Sequence, residues 1–593
     1  MSSAPTQSTS VEEAPPSATA PPKPPTGRVS LRDGSWREWI VSADRERTCL
    51  IVLAVAMVAA IAFGLAQTRG ATFSTDEYLY FVVNRGFHLK TLLSPHNGNF
   101  MVVIRFLYAA IFKAFGPDYL IFRILLFVEI SVVAGLFYAL VRRRIGAVAA
   151  LAFTLPLLFL GSSADVAIST IGVQHVLSVI LCLGALLALE ADSRVGDIAA
   201  CLLLTLAVAT FSLAFAFIGA AAVAVLMRED RWRRIWIPAI PVAVYLLWLV
   251  AAPKYTGVGY LGDTHVSASN LLLIPSFFAD AAVAVAAGVS GLSYDFVHTG
   301  PTAVLTNTSW GVPLALIAFV ALVWRIRRGG LGRWFWPYLA IPVVFWLSVV
   351  VAIEPNRYPN SNRYIYGGAV ALLLLAAEAL RRTRWSPTVL VGLLAASVVA
   401  LTGNIAQMRR DGSIVRNSGA QVRAVLTSIE LARDHVASAF LPPKMPYEDL
   451  LITWGGGVKP YLRAVTRNGG SFAFTVPQLR QQTESVRTLA DRTLIAALRI
   501  HLRPASAAQA SAGAAACQPV SAGTTHMTVS PPGIAVRSNA SGVVRLRRFA
   551  KHHSVNVGAL RANRLAELPI PRDRSAAPWI VTLPRGVQTV CPA

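Results

Sequence analysis

The sequence predicts a mainly helical, polytopic membrane protein that ends in a C-terminal α+β domain, and three observations predict it. Of 593 residues, 54% are hydrophobic and 14% charged, where soluble domains carry about 25% charged residues. Apolar runs of about 20 residues, the length that crosses a bilayer, recur between short basic loops as far as residue 403. Beyond residue 403 no such run remains, and short alternating stretches such as "GVVRLRRFA" and "WIVTLP" suggest strands.

Residues 1–35 are rich in Pro, Ser, Ala and Thr and nearly free of large apolar groups. They cannot bury enough surface to offset the entropy of ordering, so they read as a disordered cytoplasmic tail. No apolar stretch begins before Cys49 and no small-residue cleavage site follows closely, so the first apolar helix is expected to stay as an anchor rather than leave as a signal peptide.

Between residues 36 and 403, apolar segments alternate with basic clusters at Arg45 and Arg47, Arg142 to Arg144, Arg228 to Arg234, Arg325 to Arg333 and Arg381 to Arg384. The positive-inside rule wants every one of these short loops in the cytoplasm. If each apolar segment crossed, Arg142 to Arg144 would land outside. The segment 99–115, "NFMVVIRFLYAAIFKAF", is short and carries Arg105 and Lys113. Lying along the outer interface costs it less than carrying two charges through hydrocarbon. The segment 271–291 must likewise be non-spanning or be paired with a second crossing. About 11 crossings then satisfy the clusters, with the first external loop at 68–119 and the C-terminus outside.

The stretch 404–593 reads as a soluble extracytoplasmic domain: helix-like at 412–438 and 476–502, an Ala/Ser-rich link at 505–516, then strands. It holds 24 Lys and Arg against 9 Asp and Glu, or +15 of the chain's formal +24, a balance that suits anionic surfaces such as lipid phosphates or acidic glycans. Cys49, Cys182 and Cys201 sit in apolar runs and read as packing residues. Cys517 and Cys591 bracket the strand region, and outside the cytoplasm a disulfide between them is expected.

At the outer end of the first crossing stands "ATFSTDEYLYFV", with Asp76 beside Glu77. Such a pair can cap the helix that follows, with Ser74 or Thr75 as N-cap and two carboxylates in its first turn. It can also serve proton transfer. Cations on the external side are Arg85, His88, Lys90, His96, Arg105, Lys113, Arg123, Arg357 and Arg363. Arg123 and Arg363 each begin an apolar helix near its outer end, where a lipid phosphate would lie; snorkelling to headgroups uses the same position. In "DVAISTIGVQHVL", Asp165, Gln174 and His175 are polar groups at membrane depth, suited to sugar hydroxyls or to bonds between helices. There is no phosphate-binding glycine loop, dinucleotide fingerprint, zinc motif or internal repeat.

The order of parts resembles the GT-C superfamily of membrane glycosyltransferases, which includes protein O-mannosyltransferases and the lipid A aminoarabinose transferase. In that superfamily an Asp-Glu pair opens the first external loop, a His/Lys-Pro-rich turn precedes an interfacial helix ending in Phe-Gly, and an Arg begins a second crossing that closes on a basic cluster and Gly. The matching positions here are Asp76-Glu77, Ser94-Pro95-His96, Phe115-Gly116, Arg123, and Arg142 to Gly146; Arg363-Tyr364 match an Arg-Tyr in the last external loop. The resemblance covers residues 49–190 best. It departs at "HNGN", where relatives carry Pro-Pro, and at "RILL", where Arg-Leu-Pro-Ser is commoner.

The resemblance implies transfer of a glycosyl group from a polyprenyl-phosphate sugar donor to a hydroxyl acceptor on a glycan, lipid or protein, with inversion, at the outer face of a bacterial plasma (inner) membrane. Asp76 is then the general base. Glu77 orients the acceptor or an adjacent cation, or supports the fold. Arg123, Arg363 and His96 hold the donor phosphate, and Tyr364, Gln174 and His175 contact substrate. No cofactor and no nucleic acid is implied; a divalent cation stays open. Two rivals remain: a transporter, against which the absence of repeated halves speaks, and a non-catalytic envelope polysaccharide assembly or binding protein, which would not need Asp76.

Overall fold

The computed structural model describes residues 44–592 apart from 74, 97, 256–267, 294–295, 299–303, 352–356, 443–456, 506–516 and 521–524. The expected N-terminal tail, Ser74 as N-cap and nearly all of the Ala/Ser-rich link therefore lie outside the described residues.

The membrane part is a helical bundle. Its helices are α1 (Arg45–Gln67), α2 (Thr75–Val83), α3 (Val102–Phe115), α4 (Tyr119–Ile145), α5 (Ala147–Leu158), α6 (Gly172–Glu190), α7 (Arg194–Val208), α8 (Ala214–Leu226), α9 (Arg231–Ala251), α10 (Ser269–Val289), α11 (Gly311–Arg328), α12 (Phe335–Val351), α13 (Asn362–Ala379) and α14 (Pro387–Leu431). Large apolar side chains such as Val55, Val58, Leu247, Val250, Ile317 and Phe319 face outward, a cost in water that acyl chains remove. The protein is thus an integral membrane protein, mainly helical, with a β-rich C-terminal domain.

Among the described residues, six helices are long and apolar enough to cross a membrane, or seven if the bent pair Ala147–Leu158 and Gly161–Ala167 counts as one span. Eleven crossings were expected. The difference lies in helices that breaks or polar ends keep from that length: α7 and α8 have 15 and 13 residues, and α11 ends on Arg325, Arg327 and Arg328. The segment 271–291 falls largely in α10, which is long and apolar enough to span. In the segment 99–115 the helix α3 has 14 residues, roughly 21 Å at 1.5 Å per residue, short of a hydrocarbon core of about 30 Å.

Helices α4, α6 and α13 run in the same direction, and their C-terminal ends meet in one ionic network. Buried Arg144 donates to Glu190, to Glu378 (2.6 Å) and to the Tyr338 hydroxyl (2.6 Å), while Arg381 joins Glu378 at 3.2 Å. Arg325 donates to the Ala379 carbonyl, and Arg228 to Asp192 and the Leu189 carbonyl. Four of the basic clusters thus gather at one end of the bundle. Buried Arg is kept there because acids pair it and the helix C-termini offer carbonyls and the negative end of the dipole.

Helix α14 is continuous across 403–404, where the apolar run stops. Loss of hydropathy ends the membrane segment, but the helix runs on for about 27 further residues in spite of poor helix formers, because tertiary packing holds it: Gly412 lies close against Gln67 and Gly419 against Gly70 to Thr72. Its C-terminal half carries Ala424 and Leu431 into the core of the last domain, together with α16 (Glu484–Ala497), whereas α15 (Val458–Arg467) packs Val458, Tyr461 and Ala464 into the core of the bundle. A short antiparallel pair, β1 (Phe296–His298) with β2 (Val304–Thr306), lies between α10 and α11; the last domain closes with two antiparallel sheets. One has the order β3-β9-β6-β11-β4, with β3 Arg503–Pro504, β4 Gln518–Pro519, β6 Gly533–Ser538, β9 Leu565–Pro569 and β11 Val587–Pro592; the other has the order β5-β10-β7-β8, with β5 Thr525–Val529, β7 Gly542–Arg547, β8 Val555–Leu560 and β10 Trp579–Leu583. Alternate residues of both, including Val536, Leu568, Val544, Leu546 and Val581, share one buried core. Cys517 beside β4 is disulfide-bonded to Cys591 in β11.

Candidate active site

The N-terminal ends of α4, α6 and α13 lie at the opposite end of the bundle from the ionic network, and α2 packs against them. In a helix, adjacent residues point about 100° apart while i and i+4 share a face. Asp76 and Glu77 therefore enter different surroundings, and Tyr80 follows Asp76 on the same face.

Asp76 faces His96, whose Nε2 lies 3.1 Å from Asp76 Oδ2. The turn 96–99 holds the imidazole: His96 and Asn99 exchange two backbone hydrogen bonds (3.3 and 2.8 Å), and the Asn99 side chain donates to the His96 carbonyl at 3.2 Å. Gly98 takes a φ of 71° there, a left-handed backbone that costs glycine nothing. The backbone bonds between His96 and Asn99 thus close this turn on itself. Arg363, in the first turn of α13, brings further positive charge to Asp76, and His175, in the first turn of α6, stands close by. Burial works to raise the Asp76 pKa, but His96, then Arg363 and His175, outweigh it and hold the carboxyl below its ordinary range.

Tyr80 completes the group. Its ring lies 5.2 Å from that of His96, its hydroxyl is 3.1 Å from Gln174 Oε1, and the Arg105 guanidinium sits over its face at 5.7 Å. Burial and the neighbouring Asp76 charge push the phenol well above its usual pKa, so it stays a proton donor. His175 rests on Phe211 (ring centroids 4.2 Å) with Nδ1 3.4 Å from the Ile171 carbonyl.

Glu77 is fully buried and takes part in a different arrangement. It accepts hydrogen bonds from the Thr170 and Ser169 hydroxyls and from Tyr119 (3.3 Å). These donors come from the loop before α6 and from the start of α4, so Glu77 ties α2 to both.

Arg123 is not brought to Asp76. Its Nε donates to Thr68 Oγ1 at 2.8 Å and its Nη2 to the Leu65 carbonyl, and Arg416 of α14 donates to the Gln67 carbonyl. Two guanidinium groups thus serve the last turn of α1, which has no basic residue of its own. Tyr364 packs its ring near Phe345 (6.2 Å) and the Arg363 guanidinium (6.0 Å).

The structure therefore joins Asp76, His96, Gln174, His175 and Arg363, with Tyr364 beside Arg363, and sets Glu77 and Arg123 apart. Sequence reasoning missed Tyr80, Ser169, Thr170 and Tyr119. For Tyr80 the i+4 spacing from Asp76 was a usable signal; the others belong to helix starts and loops that no local pattern marks. Among the described residues, no three His, Cys, Asp or Glu side chains converge to hold a metal ion.

No protein-family model matches the sequence, and no curated protein matches it. Two solved structures are similar: ArnT from Cupriavidus metallidurans bound to undecaprenyl phosphate, at 13% identity over 72% of this chain and 88% of that one with a TM-score of 0.43, and the same protein in the apo state, at 14% identity over 70% and 85% with a TM-score of 0.43. The likeness fixes the role of no residue.

Proposed function

We propose that the protein transfers a glycosyl group from a polyprenyl-phosphate-linked sugar to a hydroxyl acceptor at the outer face of the membrane, with inversion at the anomeric carbon. The observation that carries this reading is the Asp76 carboxylate, kept ionised on a first-loop helix and surrounded by His96, Arg363 and His175. A single carboxylate beside a guanidinium and two imidazoles suits a displacement in which a hydroxyl loses a proton while a phosphate leaves with negative charge.

The acceptor oxygen attacks the anomeric carbon as the bond to the phosphate oxygen breaks, and the hydroxyl proton passes to an Asp76 oxygen. A carboxylate of depressed pKa is a weak base toward a resting alcohol, so this transfer belongs late on the path, when attack has made the hydroxyl acidic. Arg363 can face the leaving phosphate with several charge-assisted N–H groups. Tyr80, Gln174 and His175 offer hydrogen bonds suited to sugar hydroxyls. We assign Glu77 a positioning role, since three hydroxyls already occupy its oxygens, and Arg123 a role in closing α1.

The bundle supports the outer-face placement: the site lies at the end opposite the gathered Arg clusters, which the positive-inside rule puts in the cytoplasm. The test is a transfer assay with the full chain in lipid discs and polyprenyl-phosphate sugars, wild type beside Asp76→Asn, together with the lipid-linked sugars and envelope glycans of a deletion strain. Equal transfer by both proteins, or an unchanged set of glycans, would exclude this function.

A further inference from the structure

Helix α15 is strongly two-faced. Val458, Tyr461 and Ala464 are buried, whereas Lys459, Arg463 and Arg467 form one exposed stripe at i, i+4 and i+8. Like charges at that spacing repel, so the stripe works against the helix. It lines an open cleft of about 590 Å³, to which Arg433 at the end of α14 and Arg574 of the loop after β9 add two more guanidinium groups.

The charge there is poorly balanced. Arg574 is paired with Asp434 at 3.0 and 3.1 Å. Arg433 spends Nη2 on the Leu462 carbonyl and Thr466, and Arg467 spends Nη2 on the Val82 carbonyl. Lys459 and Arg463 have no acidic partner among the described residues. Among the described residues, five cations from three separate elements thus line the cleft, and the one carboxylate paired with them is Asp434.

The other face of α15 rests on the helix that carries Asp76. The Tyr461 ring lies parallel to Tyr78 at 5.9 Å and near Phe81 at 6.2 Å, and Asn468 and Arg467 reach the Phe81 and Val82 carbonyls at 3.4 and 2.7 Å. A ligand in the cleft is therefore one helix away from the candidate catalytic carboxylate.

We propose that this cleft binds a group carrying two or more phosphates and thereby holds the anionic part of the acceptor beside the transfer site. The guanidinium forks suit phosphate oxygens, and the surplus of cations exceeds what one phosphate would neutralise. Naming the ligand as acceptor rests on the transfer reading; the site itself does not. The phosphates can come from a lipid headgroup or from a water-soluble glycan.

The test uses the full chain in phosphatidylcholine discs with inorganic tripolyphosphate as probe, followed by calorimetry at several salt concentrations. Binding should weaken at least tenfold in the Lys459→Ala/Arg463→Ala double variant, return in Lys459→Arg/Arg463→Lys, and stay near wild type in Arg545→Ala/Arg561→Ala, which removes the same charge from exposed positions elsewhere in the domain. Equal binding by wild type and the first double variant, or equal loss in the Arg545/Arg561 control, overturns the proposal. Discs with one fifth phosphatidylglycerol distinguish the sources: loss of tripolyphosphate binding there assigns the cleft to lipid headgroups, and unchanged binding assigns it to a soluble polyanion. No donor is present, so failure of the transfer reading leaves this binding intact, and loss of binding leaves Asp76 untouched.

Discussion

His96 Nε2 lies 3.1 Å from Asp76 Oδ2, across a turn and a short helix that separate the two residues in the chain. This contact, with Arg363 and His175 behind it, is what lowers the Asp76 pKa against the pull of burial. Asp76→Asn removes the proton acceptor but keeps the shape, so the protein should fold and insert while transfer falls by about 10² or more. The acid limb of the wild-type rate should lie below the ordinary Asp pKa of about 3.9. Removing His96 takes away a group that lowers the pKa, so in His96→Ala that limb should move to higher pH. A pH–rate profile with the same acid limb in both proteins would detach the imidazole from the carboxylate.

Arg363→Ala and Arg123→Ala should differ in kind. Arg363 faces Asp76, so its loss should raise the donor KM and reduce kcat with little change in melting temperature. Arg123 holds the end of α1 through Thr68 and Leu65; a buried, charge-assisted pair of bonds of this sort contributes about 1.5–3 kcal/mol each. Its loss should lower thermal stability and leave the donor KM of the surviving protein unchanged. Thermal melts in detergent beside donor titrations separate the two outcomes.

Much of this arrangement was legible in the sequence. Hydropathy marked the membrane region, and alternation marked β7 and β10. The order Asp76, His96, Arg363 along the chain identified groups that the fold brings together. What could not be read was the partner of each side chain. Arg123 and Arg363 look alike in sequence, each an arginine opening an apolar helix, and only the packing of α4 against the C-terminal end of α1 decides that Arg123 is used in capping. Adjacent Asp76 and Glu77 were read as a pair, but helical geometry sends them to different neighbours. The continuity of α14 was hidden because hydropathy falls at residue 403 and poor helix formers such as Asp411, Gly412 and Gly419 follow, which packing rather than propensity keeps helical.

In the C-terminal domain, Glu484 and Asp491 stand at i and i+7 on one face of α16 and between them accept from the backbone N–H groups of Arg548, Phe549, Ala550, Lys551, His552 and His553. For Glu484, burial works to raise the pKa, but the N–H groups of His552, Lys551 and His553 and the nearby Arg487 bring it to about 2. A carboxylate lowered on folding contributes stability above its unfolded pKa, and that contribution is lost as the pH falls from about 4.3 toward the folded value. Asp491 runs the other way: burial outweighs its three N–H donors and Arg548, and its pKa rises to about 6. The folded state then holds that proton more tightly than the unfolded chain, and stability declines as the pH rises from about 3.9 through the folded value. Glu484→Gln should therefore destabilise the domain at pH 7, by about 1.5–3 kcal/mol for the charge-assisted bonds it weakens, and flatten the acid side of the melting curve. Melting temperatures of the full chain and of Glu484→Gln between pH 3 and 8 check both signs.

The orientation of the bundle can be tested from its two ends. Lys113 is exposed on α3, at the end that carries Asp76, and Arg143 is exposed at the end of α4 where the ionic network lies. The 27 residues of α4 span roughly 40 Å at 1.5 Å per residue, so the two positions stand on opposite sides of a hydrocarbon core of about 30 Å. With the native free cysteines changed to Ser or Ala, Lys113→Cys in intact cells should react with an impermeant maleimide. Arg143→Cys should react only after the membrane is opened, because an Arg cluster is retained on the cytoplasmic side. If instead Arg143→Cys labels from outside and Lys113→Cys does not, the bundle is inverted and Asp76 faces the cytoplasm. The acceptor would then have to be a cytoplasmic hydroxyl, and a transfer reaction at the outer face would be ruled out.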